Sequence, residues 1–81
     1  MNQYLPFIMN FYTRELVEKI STKFNIDHMS ALRKFLFSET YQMLCDERLQ
    51  MWEFSTLGIF DMWEVEQVTG DPRNSLYIRR D

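Results

Sequence analysis

Between Leu5 and Phe24 large apolar side chains return every third or fourth residue, at Leu5, Ile8 or Met9, Tyr12, Leu16, Ile20 and Phe24, a spacing that lays one continuous stripe along a helix. No other feature constrains the fold as strongly. Pro6 fits such a helix only in its first turn, where a missing N–H leaves no hydrogen bond unmade, so the helix is expected over about 5–23. Its first half adds a second apolar face, Tyr4, Phe7 and Phe11, which the second half replaces with Arg14, Glu18 and Ser21. Tyr4, Phe7 and Phe11 are therefore expected to meet another chain, either a second copy or a different protein.

Three more helix starts are marked by short polar side chains that can accept the orphan N–H groups of a first turn: Asp27, Ser38 and Ser55. Asp27 opens a helix near 28–37 that should bury Met29, Leu32, Phe35 and Leu36. Ser38 opens a short one over 39–45, with Tyr41, Leu44 and Cys45 on one side and the cysteine as a buried thiol. DERLQMWEF, carrying Leu49, Met51, Trp52 and Phe54, reads as a helical connector or a loop. Ser55 opens the last helix, 56–69, which Gly70 ends and Pro72 forbids from continuing. Only SLYIR alternates like a strand, and only briefly. The expected fold is all-α: one domain, 1–81, built as a small bundle of about four helices with an extended C-terminal tail over 70–81.

A chain of 81 residues forms one small core and buries only about 60 to 65% of its unfolded surface. Seven Phe, four Tyr, two Trp and six Met are hard to hide in it, which points to a partner surface or a homodimer. Trp52, Phe54 and Trp63 are expected as anchors of that surface or as its supporting core. The lone Cys45 excludes an internal disulfide framework and fits a reducing cytoplasm. With no run of about 18 apolar residues, no membrane span is expected, and the N-terminal stretch lacks the basic region and cleavage site of a signal peptide.

Charge is unevenly distributed. Residues 1–38 carry five basic and three acidic side chains, 39–71 one and eight, and 72–81 three and one. The tail should therefore fold back on the acidic block, with Arg73 pairing with Asp61 or Glu64, Leu76 and Ile78 docking on the core, and Tyr77, Arg79 and Arg80 left for a partner. Asp61 and Glu64, one helical turn apart, are the residues closest to an acid/base or metal pair, but helical metal sites draw ligands from several helices, often including a nearby His, and the single His28 sits beside the Asp27 cap. Cys45 has no base nearby in sequence, and two glycines cannot build a phosphate-cradling loop. No catalytic residue, metal or cofactor is expected.

RELVEKISTKFNIDHMSALRKFL resembles the helix, turn and helix of ribbon-helix-helix DNA-binding regulators, but the stretch before it, QYLPFIMNF, lacks the basic strand those proteins use. A net charge of −3 also works against phosphate binding. From residue 28 onward the chain resembles a group of short, uncharacterised bacterial proteins sharing the order A-L-R-x-F-L, S-x-T-Y-x-M-L, W-x-x-S, F-x-M-W-x-x-E and T-G-D-P-R-N-S. The matching residues include Ala31, Ser38, Thr40, Tyr41, Trp52, Phe60, Trp63, Glu66 and Thr69 to Ser75. That resemblance implies a small partner of toxin-like enzymes. The expected function is thus a cytoplasmic, noncatalytic protein-interaction module, antitoxin-like, binding another protein or itself. A homodimeric DNA-binding regulator and an enzyme with an unrecognised site are the alternatives.

Overall fold

The stripe of apolar residues becomes α1 (Leu5–Phe24), followed by α2 (His28–Leu36), α3 (Glu39–Cys45) and α4 (Thr56–Thr69). Among the described residues there are also three 3₁₀ turns: Glu47–Leu49 and Met51–Glu53 between α3 and α4, and Pro72–Asn74 after α4. The computed structural model describes residues 5–75, apart from the side chains of Leu5, Pro6 and Trp52. Among the described residues there is no strand, and the fold is a small all-α bundle.

Each junction has a local cause. Asn25 ends α1 by entering the left-handed region at φ 55°, a conformation that asparagine tolerates better than most residues. The N–H of Ile26 then reaches back to the Ser21 carbonyl at 3.2 Å, and the Ser21 hydroxyl donates to the Ile26 carbonyl at 2.7 Å. This tight turn sends α2 back against α1. Asp27 caps α2 by accepting the Ser30 N–H at 3.0 Å and its hydroxyl at 2.7 Å. Ser38 caps α3 through the Tyr41 N–H at 3.1 Å, and Ser55 caps α4 through the Gly58 N–H at 3.1 Å. Gly70 closes α4 at φ 84°, with its N–H on the Glu66 carbonyl at 2.8 Å.

The core gathers Tyr12, Leu16, Val17 and Ile20 from α1, Ala31 and Phe35 from α2, Met43 and Leu44 from α3, and Ile59, Met62 and Trp63 from α4, with Met51 from the connector. Burying one such side chain fully contributes about 1.5 to 3 kcal/mol. α4 packs on both α1 and α3, while α2 packs chiefly on α1. The connector is held as well, because the buried Tyr12 hydroxyl donates to the Phe54 carbonyl.

α2 differs from the sequence-based expectation. Ala31 and Phe35 are its buried pair, while Met29 is 58% and Leu36 37% exposed. On a helix turning 100° per residue, Met29 and Leu36 lie about 120 to 140° from the Ala31–Phe35 line, too far round to enter the same contact. Cys45 is exposed rather than buried, since it ends α3 outside the face that Thr40, Met43 and Leu44 turn inward.

Candidate interaction surface

The acidic block is tied into the fold. Glu66, on the third turn of α4, reaches the start of α3, where its Oε2 accepts the Glu39 N–H at 2.8 Å and its Oε1 accepts the Thr40 N–H at 2.9 Å and the Thr40 hydroxyl at 2.7 Å. Asp61 accepts the hydroxyl of the buried Ser75, and Glu64 pairs with Lys23 of α1. Arg73 therefore does not meet Asp61 or Glu64, as charge alone had suggested. It pairs with Glu39 and Asp71, because the turn over Pro72 carries it toward the start of α3.

Residues 69–75 form a clasp on the end of α4. The Thr69 hydroxyl oxygen accepts the Asp71 N–H at 3.2 Å and the Asn74 side-chain amide at 3.1 Å, and Pro72 is buried. The Arg73 N–H, donated to Asp71 at 2.9 Å, is the main cause holding that carboxyl below its ordinary value. His28 meets Glu18 at 3.0 Å with both side chains exposed. Among the described residues, no group of three or more His, Cys, Asp or Glu side chains gathers as a metal site would require, and no helix is long and apolar enough to cross a membrane.

Two concavities stand out among the described residues. The larger, about 410 Å³, lies between α1 and α2, with Asn10, Arg14 and Val17 on one wall and His28, Met29 and Leu32 on the other. Beside it stand Phe7, 73% exposed, and Phe11, 57% exposed. Phe7, Phe11, Arg14 and Glu18 fall within about 60° of one another around the helix, so the two rings share a ridge with two of the groove's residues. The smaller, about 230 Å³, is framed by Ile20, Phe24, Ile26, Lys34, Trp63 and Gln67.

Of the side chains expected at a partner surface, Phe7 and Phe11 are exposed. Trp63 is not an open anchor: it is 2% exposed, with Phe24 edge-on at 5.7 Å and Phe60 stacked at 6.3 Å. Phe54 is half-buried against the core. Tyr4, Tyr77, Arg79, Arg80 and the tail positions Leu76 and Ile78 lie outside the described residues, as does the side chain of Trp52. Sequence reasoning missed Met29 as a surface residue and Glu66 as a tie. A nine-residue helix offers too few turns to show which face is inner, and Glu66 has no local signal because its partners lie 26 and 27 residues away. Scans against family models, curated proteins and solved structures found no match.

Proposed function

We propose that this chain is a noncatalytic protein-interaction module, antitoxin-like in role and cytoplasmic, whose α1–α2 face is covered by another protein chain. The observation that carries this reading is the open apolar ridge and groove, with Phe7, Phe11 and Met29 each more than half exposed on neighbouring elements. Large exposed apolar side chains clustered beside a groove and rimmed by polar residues mark protein contact sites. The acidic residues of α4 that chemistry would draw on are engaged in holding helices together, which favours a binding role over a catalytic one.

The test is a photo-crosslinking phenylalanine analogue installed at Phe11 in living cells. The expected result is one discrete protein adduct, self or foreign, identified by mass. Irradiation that yields only uncrosslinked chain overturns the reading.

A further inference from the structure

We propose that the smaller cavity, where the end of α1 and the turn after it meet α2 and α4, binds a small aromatic carboxylate. This site is separate from the interaction face: around α2, Lys34 lies about 140° from Met29, and the cavity does not depend on what covers Phe7 and Phe11.

The walls select the body of the ligand. Ile20 and Trp63 are buried, Ile26 is half-buried and Phe24 is 46% exposed. Phe60 stacks on the Trp63 ring at 6.3 Å and Phe24 meets it edge-on at 5.7 Å, so the aromatic surface still open at the cavity is that of Phe24. A second ring brought there packs offset or edge-on, the arrangements that aromatic pairs favour. At about 230 Å³, the space is smaller than the roughly 300 to 1,000 Å³ that holds a drug-sized ligand. It suits one ring with a short side arm.

The rim selects the charge. Lys34 and Gln67 are the polar residues of the lining, and none of the described residues that line it is acidic. The Lys34 ammonium has no ion pair among the described residues. Gln67 gives one N–H of its side-chain amide to the Trp63 carbonyl at 3.2 Å, which leaves the second to donate. The Trp63 indole N–H is on the Lys34 carbonyl at 3.5 Å, and Lys23, over the Phe24 ring at 6.0 Å, is neutralised by Glu64. One uncompensated cation and one spare amide N–H therefore stand at the mouth of an aromatic cavity. A guest with one negative charge and two acceptor oxygens completes them, which a carboxylate supplies.

Titration of 3-phenylpropionate into the full ¹⁵N-labelled chain, followed by amide chemical shifts, tests this. The expected result is a saturable shift centred on Phe24, Ile26, Lys34 and Gln67, with a dissociation constant on the order of 1 mM or tighter. Its neutral amide, 3-phenylpropanamide, should bind about three- to tenfold more weakly, because an exposed lysine contributes a modest pairing energy. Lys34→Met keeps most of the apolar stem, should leave the native spectrum intact, and should erase the difference between acid and amide. Shifts that stay linear to about 20 mM, or that centre on other residues, overturn the site. Equal binding of acid and amide by the native chain, or an acid preference that survives in Lys34→Met, overturns the carboxylate assignment. Acetyl-Gly-Phe is expected to bind no more tightly than 3-phenylpropionate; tighter binding would assign the cavity to a peptide C-terminus and overturn the small-molecule class.

Discussion

Glu66 holds Thr40 twice, accepting its backbone N–H at 2.9 Å and its hydroxyl at 2.7 Å on one carboxylate oxygen, while the other oxygen takes the neighbouring Glu39 N–H at 2.8 Å. A seven-residue helix such as α3 is too short to be stable by itself. Its first N–H groups are satisfied by a side chain from α4 and by Ser38, so the N-terminus of one helix is built partly from another. The negative carboxylate also sits where the helix dipole favours it.

Glu66→Gln therefore tests the tie directly. The amide keeps one acceptor but turns a donor toward a backbone donor, and losing a charge-assisted hydrogen bond of this kind should destabilise the fold by about 1.5 to 3 kcal/mol. In a domain this small that lowers the melting temperature by at least about 6 °C. Melting at the native temperature would show that the carboxylate contributes nothing net to α3.

Trp63 and Phe7 should separate core from surface. Trp63→Ala opens a cavity between Phe24, Phe60 and the core, and is expected to cost about 3 to 5 kcal/mol in urea unfolding. Phe7→Ala removes a side chain that is 73% exposed and should change monomer stability by no more than about 0.5 kcal/mol. Equal shifts in the two midpoints would contradict these placements.

At Gly70 the constraint is conformational rather than steric. A Cβ built there meets no atom within 4 Å, yet φ is 84°. Gly70→Ala is expected to cost about 1 to 2 kcal/mol through the left-handed backbone alone, and Gly70→Asn less, because asparagine enters that region more readily. Thermal melts of the two variants should rank in that order.

Acid should weaken the fold in a defined window. Asp27 is held below its ordinary 3.8 chiefly by the Ser30 hydroxyl and then its N–H, Asp46 by the Arg48 side chain, and Asp71 by the Arg73 N–H. Lowered folded values mean that folding favours the ionised carboxylates, so their stabilisation is fully present above about pH 3.8 and is lost as pH falls through the folded values. Tyr12 acts at the other limit. Burial raises its hydroxyl above 10.0, so its contribution is present below that pH and disappears as pH rises through the folded value. Melting temperature should plateau between these limits, and Asp27→Asn should make the acidic fall shallower. A native melting temperature that begins to drop well above pH 5 would refute this assignment.

The helix starts at Asp27, Ser38 and Ser55 and the stop at Gly70 follow from the sequence because capping is local: each donor lies within three or four residues of its acceptor. The same holds for the long stripe of α1, whose Tyr12, Leu16 and Ile20 are buried as their spacing requires, and for the exposure of Phe7 and Phe11 on its far side. Packing between helices decided the rest. Ala31 and Phe35, not Met29 and Leu36, face inward because α2 is oriented by the turn at Asn25 and by contact with α1, and nine residues carry too little pattern to declare that orientation. Trp63 became core because α1 and α4 close over it, an outcome no single segment encodes. Arg73 went to Glu39 and Asp71 because the turn over Pro72 carries it toward the start of α3, while Asp61 meets Ser75 and Glu64 meets Lys23. Opposite charge sets only which pairs are favourable, whereas the path of the backbone sets which of them can touch.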